Sequence, residues 1–474
     1  MNSPQKTIAI VGGGITGLAA AYRAQTSMPG SKIVLLESSG RLGGVLQTDS
    51  VDGYLIEQSA DMFTSDPPAA RELCLQLDKT DQLIETIPIP DRAFVAADET
   101  IHPVPRGLSL MLPGNLAAVM SSPLLDQAAR LRFAAERDVP ASTWATDESL
   151  ESFAVRRFGR STFDHLIQPL VGGIYTADPK RLSMQATMAR FVEMEKKHGS
   201  LISAAESSPG RAIESEASGA RYGMFRAPKH GIGQLVDWLR NALTEVDIRT
   251  DCPVRSMSKP AARWVIQTEQ LGEGNNPIHA DGVVLATPAS VSSLLLHSID
   301  LGLQQKLESI EAASTAIVVL GIDKTQIAKK FDGYGIIVPS ILNRKVIATS
   351  FSSNKFRGRA PDGKLLIRCF IGGALQSELL DLDDEKLVNI ASDELEKTIG
   401  FSGLPELTRV FRWRNCMPQY HLGHLDLVAD IERLVTLHSG LELAGNSYRG
   451  VGIPACIQSG FEAIERLAKC FADD

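Results

Sequence analysis

The stretch Thr7–Gly44, TIAIVGGGITGLAAAYRAQTSMPGSKIVLLESSGRLGG, decides the fold. It opens with Thr7–Val11, a short apolar run rich in β-branched residues, which predicts a buried strand. The alanine-rich segment Leu18–Ala24 then predicts a helix, and the apolar run Lys32–Leu36 predicts a second strand. This order of strand, turn, helix and strand is typical of a unit that binds a dinucleotide.

Three glycines connect the first strand to the helix in the pattern G-x-G-x-x-G. Gly12 allows a tight turn, Gly14 lets a pyrophosphate approach the backbone, and Gly17 lets helix and strand pack closely. The unpaired N–H groups and the positive dipole end of the helix favour a diphosphate. We predict that a cofactor contacts the whole turn, which comprises Gly12, Gly13, Gly14, Ile15, Thr16 and Gly17.

The second strand ends in Glu37, about 20 residues after the last of these glycines. A carboxylate at this position accepts hydrogen bonds from a ribose 2′-OH and repels a 2′-phosphate. Ser38 follows, and then a second glycine turn that contains Arg41, Gly43 and Gly44. A second close approach and a fixed cation favour a cofactor longer than a nicotinamide dinucleotide. Spacing alone indicates only a dinucleotide without a 2′-phosphate.

A third glycine turn lies near the end of the chain, in Leu443–Ile457, LAGNSYRGVGIPACI. A strand leads into the turn, and the segment Ile457–Phe471 predicts a helix after it. A second helix N-terminus is therefore expected to face the cofactor. The residues predicted to contact the cofactor here are Gly445, Gly450, Val451, Gly452 and Ile453.

Composition narrows the class of protein. The 474 residues are enough for two or three domains, and the net charge of −8 argues against broad nucleic-acid binding. The six cysteines include no C-x-x-C pair, which excludes a zinc knuckle and a redox dithiol and suits a reducing compartment. His421 and His424 lack a third candidate ligand nearby, so we predict no metal site.

The sequence predicts a cytoplasmic location. MNSPQK, which precedes the first strand, is short and polar and does not read as a signal peptide. No apolar run approaches the roughly 20 residues that span a bilayer. The stretch from Leu108 to about Arg137 has a helical, amphipathic pattern with basic residues. Such a stretch suits either peripheral contact with a membrane surface or packing on its own domain, and both alternatives stay open.

The motifs resemble a known family. The continuation E-x-x-x-R-x-G-G, from Glu37 to Gly44, is similar to the FAD-binding amine oxidase and phytoene desaturase superfamily. The segments G-G-I-Y-x-x-D-P (172–179), M-P-Q-Y-x-x-G-H (417–424) and G-N-S-Y-x-G-V-G-I-P (445–454) resemble the oxygen-dependent, FAD-containing protoporphyrinogen oxidases. The resemblance implies FAD as cofactor. It also implies stepwise dehydrogenation of a porphyrinogen, with electrons passing to the flavin and then to dioxygen, which gives peroxide.

The resemblance also implies positions for further site residues. The turn at Ser59, Ala60, Asp61 and Met62 corresponds to a segment that lies against the isoalloxazine, although the family usually has Gly-Pro where this chain has Ser59-Ala60. Val254 corresponds to the adenosine end, and Trp413 belongs to the motif that precedes the histidines. Arg92 matches a cation for a substrate propionate; its alternative is a solvated arginine at a strand edge. The residues expected to line an apolar substrate pocket are Gly173, Ile337 and Phe370.

We predict an α/β fold with a discontinuous Rossmann-like FAD-binding domain. The run V-L-A-T-P at 284–288 resembles the place where the chain of this superfamily rejoins the nucleotide-binding sheet. A mixed or antiparallel sheet is expected to form the substrate domain, beside a helical domain with possible membrane contact. The predicted ranges are 1–85, 224–295 and 435–474 for the FAD domain, 86–108 and 296–434 for the substrate domain, and 109–223 for the helical domain.

Three functions compete at this level. Porphyrinogen oxidation leads, with protoporphyrinogen IX ahead of coproporphyrinogen III, because the latter carries four propionates and requires more cations than Arg92 alone. Another flavin oxidase or desaturase is the second, although no aromatic cage for an amine can be assembled from the sequence. A non-catalytic FAD-binding protein is the third. No general base is assigned, since the flavin itself accepts the hydride. The sequence does not predict an oligomeric state.

Overall fold

The computed structural model describes residues 5–142, 146–207, 225–269 and 277–473. The strands are β1 Thr7–Val11, β2 Lys32–Leu36, β3 Thr48–Val51, β4 Tyr54–Glu57, β5 Phe63–Thr64, β6 Leu83–Glu85, β7 Ala93–Ala97, β8 Thr100–Pro103, β9 Leu108–Ser109, β10 Leu112–Pro113, β11 Phe225–Pro228, β12 Val246–Arg249, β13 Val254–Ser258, β14 Trp264–Thr268, β15 Ile278–Ala280, β16 Gly282–Leu285, β17 Ala312–Asp323, β18 Gly335–Ile337, β19 Val346–Phe351, β20 Lys364–Gly372, β21 Leu407–Pro418 and β22 Leu441–Leu443.

The helices are α1 Ile15–Ser27, α2 Ala69–Gln76, α3 Leu116–Met120, α4 Gln127–Ala134, α5 Leu150–Phe158, α6 Arg160–Thr162, α7 Gln168–Tyr175, α8 Met184–His198, α9 Leu201–Glu206, α10 Gly233–Ala242, α11 Ala289–Leu296, α12 Leu301–Glu308, α13 Ser352–Lys355, α14 Asp384–Ile399, α15 His424–Val435 and α16 Ile453–Asp473. A π-helical turn, Phe163–Ile167, leads into α7.

A five-stranded parallel sheet forms the first layer, in the order β12-β2-β1-β16-β22. Its strands come from three separate parts of the chain, so the discontinuous Rossmann-like domain predicted from the sequence is confirmed. The strands are buried on both faces, as expected for parallel strands covered by helices. One face packs on α1, α10 and α16, and the other on the β13–β15 sheet, α11, α12 and α15.

The second layer is a seven-stranded mixed sheet in the order β21-β17-β20-β19-β18-β7-β8. All its neighbours are antiparallel except β18 and β7, which are parallel. Helix α14 covers one face through a core that contains Leu387, Leu395 and Ile399. The strands of both large sheets fall within the ranges predicted for their domains, while the domain boundaries themselves stay predictions.

The helical region packs around its own core. The stretch from Leu108 to Arg137, predicted as continuously helical, instead begins with the β9–β10 hairpin and continues as α3 and α4. Much of its apolar surface is buried in this core: Leu125 and Phe133, for example, are each 1% exposed. The basic side chains meet protein partners, for example Arg137, which pairs with Glu206. Peripheral membrane contact stays a prediction, and no helix among the described residues is long and apolar enough to cross a bilayer.

Candidate FAD and substrate site

A cavity of about 900 Å³ lies where the two large sheets and the helical region meet. Most of its wall is apolar, and the ionisable side chains of the described wall are Asp61, Asp66, Arg190, Arg368 and two cysteines, Cys416 and Cys456. The predicted cofactor residues in the wall are Gly14, Ile15, Thr16, Gly43, Gly44, Ser59, Ala60, Asp61, Met62, Trp413, Gly445, Val451, Gly452 and Ile453. The sequence motifs thus converge on one space.

The first helix mouth of this cavity is the N-terminus of α1. Gly14 caps the helix without a side-chain hydrogen bond, and the first turn contains no acidic residue. A Cβ on Gly14 would meet nothing within 4 Å, so this backbone is open to a ligand. A Cβ on Gly17, in contrast, would lie 1.8 Å from the carbonyl oxygen of Gly12. The two glycines therefore have the separate roles that the motif predicts, one facing the ligand and one inside the packing.

The second glycine turn lies directly against the first. The N–H of Gly43 donates to the carbonyl of Gly13 over 2.8 Å. A carboxylate oxygen of Glu37 accepts from the N–H of Gly13 at 2.7 Å, and its other oxygen accepts from Ser39 N–H at 2.8 Å. Glu37 is thereby held beside the α1 mouth, where a ribose of a bound dinucleotide lies. The Arg41 side chain donates to the carbonyl of Gly44 at 2.7 Å.

The second helix mouth is the N-terminus of α16, and it opens into the same cavity. Gly460 of α16 crosses α1 so closely that a Cβ would lie 2.4 Å from the carbonyl oxygen of Thr16. This close crossing brings the two mouths side by side. Two positive helix ends that face one space suit a diphosphate.

The motif around Tyr420 and His424 supports the second mouth from behind. The hydroxyl of Tyr420 donates to the carbonyl of Asn446 at 2.6 Å and accepts from the N–H of Gly450 at 2.7 Å. His424 stacks on Tyr420 and contacts the carbonyl of Tyr448 through Nε2 at 2.8 Å. Burial lowers the pKa of His424. Through these contacts Tyr420 and His424 hold the glycine turn that precedes α16 in place.

The turn predicted to face the isoalloxazine is fixed on several sides. Trp413 Nε1 donates to the carbonyl of Gln58 at 2.7 Å, and the hydroxyl of Ser59 donates to the carbonyl of Val45 at 2.6 Å. The guanidinium of Arg368 donates to the carbonyl of Ser59. Side chains from distant parts of the chain therefore shape this turn, which lacks the family's usual Gly-Pro.

A buried ion-pair cluster lies beneath that turn. Asp61 pairs with Lys355 at 3.1 Å and with Arg368 at 3.3 Å, and all three side chains are less than 10% exposed. Burial opposes the ionisation of Asp61, but the two cations outweigh it and lower its pKa to about 2. Burial also lowers the pKa of Lys355, against the opposing effect of Asp61. Sequence reasoning named Asp61 but missed both cations, because no local pattern marks them.

A further buried carboxyl, Glu57, holds the strand that leads into this turn. It accepts from the Thr48 hydroxyl at 2.6 Å and from the N–H of Ile232 at 2.9 Å. Burial raises its pKa to about 7 in spite of these hydrogen bonds. Glu57 therefore titrates near neutral pH while remaining outside the cavity wall.

The predicted substrate residues are only partly brought together. Gly173 and Phe370 lie in the cavity wall, and Ile337 lies behind Gly173, where a Cβ on the glycine would be 3.8 Å from Ile337 Cγ2. Arg92 does not belong to the described wall, and its Nε donates to the carbonyl of Ile89 at 3.2 Å. The predicted cofactor residues outside the wall are Gly12, Gly13, Gly17, Glu37, Ser38, Arg41, Val254 and Gly450. All of these roles stay predictions.

The residues present fit FAD. A long cavity joins two glycine-lined helix mouths, open backbone lies at Gly14, and a carboxylate stands beside the first mouth for a ribose. The adenosine end belongs on the Glu37 side, so the flavin end of the cofactor extends toward the turn at Ser59–Met62. Among the residues that the structure describes, no group of three or more His, Cys, Asp or Glu is arranged to hold a metal ion.

Comparison with known proteins agrees with this assignment. Residues 15–468 match the model of the family described as flavin containing amine oxidoreductase. The chain is 30% identical to the coproporphyrinogen III oxidase of Bacillus subtilis, over 98% of each chain. It is 26% identical to protoporphyrinogen oxidase 2 of Arabidopsis thaliana, over 99% of this chain and 96% of the relative.

A solved structure has the same architecture. The crystal structure of a protein from Exiguobacterium sp. 255-15, provisionally named protoporphyrinogen oxidase, superposes with a TM-score of 0.86. That protein is 28% identical, and the match covers 98% of this chain and 99% of the other. The glycine turns, the cavity and the family match lead to one conclusion: the chain belongs to the flavin containing amine oxidoreductases, and its cofactor is FAD.

Proposed function

We propose that this protein is an oxidase of porphyrinogens that acts in haem biosynthesis, with coproporphyrinogen III as its substrate and dioxygen as electron acceptor. The observation that carries the proposal is the cavity of about 900 Å³, which continues from the two helix mouths into an apolar space. A large, largely apolar ring system requires such a space, with few polar groups to orient it.

Asp61 is poorly suited to act as a protein base for this oxidation. Bound FAD supplies a two-electron acceptor that dioxygen can reoxidise. Asp61, a carboxylate of the wall, is ionised and engaged by Lys355 and Arg368, so it is a poor proton acceptor. The contribution of this chain is then to position the macrocycle and to exclude other orientations. Apolar side chains that suit this role include Ile310, Ile317 and Phe370.

The choice of coproporphyrinogen III reverses the order of substrates expected from the sequence. The Bacillus subtilis relative named for coproporphyrinogen is more similar to this chain than the Arabidopsis relative named for protoporphyrinogen, at 30% against 26% identity. Arg190 is exposed in the cavity wall, and a guanidinium there suits a propionate, which both candidate substrates carry, through two hydrogen bonds. Arg190 takes the role that the sequence analysis gave to Arg92.

Protoporphyrinogen IX is the second candidate. The apolar wall suits its less charged periphery, and the Exiguobacterium neighbour is provisionally named for this substrate. Cytoplasmic location, with or without peripheral membrane contact, remains part of the proposal.

The test is to add each porphyrinogen to the FAD-loaded protein without oxygen and to follow flavin absorbance. We expect bleaching by coproporphyrinogen III, return of the flavin band in air, and the appearance of porphyrin fluorescence. Steady-state kcat/KM for both substrates then orders them. A kcat/KM that is higher for protoporphyrinogen IX would favour the second candidate. A flavin that neither substrate bleaches would contradict porphyrinogen oxidation altogether.

A further inference from the structure

Within the described part of the chain, three hairpins have a two-residue turn. The register places Asp52-Gly53 between β3 and β4, Asp98-Glu99 between β7 and β8, and Leu110-Met111 between β9 and β10. The first turn residue has a positive φ in each case: 50° at Asp52, 47° at Asp98 and 57° at Leu110. All three turns therefore require a positive φ at their first residue, and they meet this requirement with different side chains.

Leucine is the unusual choice at this position. Glycine meets the demand without a steric penalty, and Asp or Asn tolerates it because a short polar side chain can bond locally. A bulky residue there is an outlier. Among the residues that the structure describes, the other non-glycine residues with positive φ are all Asp, Asn or Thr. Something other than turn geometry must therefore favour a leucine at 110.

The two residues of this turn have different surroundings. Met111 is fully buried in the core of the helical region, so it ties the hairpin to that core. Leu110 is only partly buried at the edge of that core and lines the cavity, next to Ser109. Met111 anchors the hairpin inside the core, while Leu110 packs against the edge of the same core and also lines the cavity.

Two more left-handed residues line the same cavity. Thr176 has φ 48° at the end of α7, and Asn415 has φ 51° in β21. The hydroxyl oxygen of Thr176 is buried without a hydrogen-bond partner. Unfavourable local geometry that the surrounding fold maintains is concentrated at functional sites. Asparagine tolerates this conformation, so the unfavourable cases in this wall are Thr176 and Leu110, on two separate elements, which supports a functional reason for the leucine.

We propose that Leu110 is a substrate-binding residue whose side chain packs against the face of the bound tetrapyrrole. This rests on the proposed function, because that function supplies the flat, apolar ligand. The left-handed turn is retained with a leucine because the side chain is needed in the cavity. It would hold the macrocycle in place beside the cofactor.

The experiment is the Leu110→Gly substitution in the FAD-loaded full chain. Coproporphyrin III, the oxidised ligand, is titrated and its fluorescence followed, so that binding is measured apart from turnover. We expect Kd to rise about tenfold, because part of the burial of a leucine side chain is lost. KM should rise similarly with kcat less affected, and the thermal midpoint should stay equal or increase, since glycine suits the turn.

Asp98→Gly is the matched control. It makes the same change at the same position of a two-residue hairpin turn, and Asp98 does not belong to the described cavity wall. Its porphyrin Kd should equal that of the wild type. Leu110→Asn is the second variant, because asparagine tolerates the left-handed backbone but lacks the apolar surface. It should weaken porphyrin binding as the glycine variant does.

Each remaining outcome overturns the inference. Unchanged Kd in both Leu110 variants would show that the side chain does not contact the ligand. A clear loss of folded protein in both would show that leucine is kept for packing. A wild-type protein that binds no porphyrin would contradict the proposed function as well, whereas normal wild-type binding that is insensitive to position 110 contradicts this inference alone.

Discussion

Two parts of the cavity wall contain residues with positive φ, but of different types. We call one part the glycine wall, made by Gly14, Gly43, Gly44 and Gly445, and the other the side-chain wall, made by Leu110, Thr176 and Asn415. In the glycine wall φ is 103° at Gly43, 59° at Gly44 and 125° at Gly445. In the side-chain wall positive φ falls on residues that carry a Cβ.

The difference reflects what each wall presents to its ligand. A diphosphate is held by backbone N–H groups, so any side chain there would occupy ligand space. An apolar ring is held by side chains, so a glycine there would remove the contact surface. Backbone strain is therefore avoided in the glycine wall and tolerated in the side-chain wall. The predictions below test this contrast.

The largest effect is expected from Gly14→Val in the glycine wall. The backbone at Gly14 is extended, with φ −68° and ψ 178°, which valine adopts, and no protein atom lies within 4 Å of the added Cβ. We expect a folded apoprotein that no longer binds FAD, since valine fills the place of the diphosphate. Far-UV circular dichroism and flavin titration of the apoprotein measure the two properties.

Gly17→Ala is the contrasting variant for this prediction. Its Cβ would lie 1.8 Å from the Gly12 carbonyl oxygen, so it should reduce the yield of folded apoprotein itself. A Gly14→Val protein that binds FAD with wild-type affinity would break the distinction between the two walls.

A smaller effect is expected from Arg368→Met, beneath the turn at Ser59–Met62. The substitution leaves Asp61 buried with Lys355 as its remaining ion-pair partner among those described. Because Lys355 still compensates Asp61, the expected cost is that of the Ser59 carbonyl losing its charged donor, about 1–3 kcal/mol of unfolding free energy. Arg181→Met is the control, because Arg181 and Glu311 are 51% and 56% exposed, and it should cost less than about 1 kcal/mol. Urea unfolding of both apoproteins measures the difference; equal losses would count against a structural cluster.

The smallest effect is expected from the titration of Glu57. Burial raises its pKa from 4.5 to about 7, so between these values the folded state binds a proton that the unfolded state releases. This group therefore lowers the unfolding free energy as pH rises from about 4.5 to 7 and adds no slope above pH 7. Glu57→Gln should lose this dependence. Urea unfolding of the apoprotein at several pH values tests it, and identical slopes for both proteins would contradict the assignment.

The glycine wall could be predicted from the sequence to a large extent. Its members stand in two short motifs, and each motif couples a strand, a turn and a helix within a few residues. The helix that follows each turn is longer than predicted: α1 begins at Ile15 and α16 at Ile453. Both corrections lengthen a helix without moving its mouth away from the cavity.

The side-chain wall could not be predicted in the same way. Leu110 stands in a leucine-rich stretch whose spacing predicts a helix, but the chain forms a hairpin because Leu108 and Met111 are buried in the helical core. Lys355 and Arg368 have no local sequence signal, since their partner Asp61 lies 294 and 307 residues away, respectively. The family resemblance suggested Arg92 as a propionate-binding residue, but Arg92 is not part of the described cavity wall.

By itself the sequence determined the parallel βαβ unit, the two glycine turns and the preference for a dinucleotide without a 2′-phosphate. These features depend on neighbouring residues, so periodicity and glycine spacing express them directly. Only the tertiary structure decided that both helix mouths share one cavity, that Asp61 lies between Lys355 and Arg368, and that Leu110 lines this cavity. Those features depend on contacts between residues distant in the chain, which no local pattern encodes.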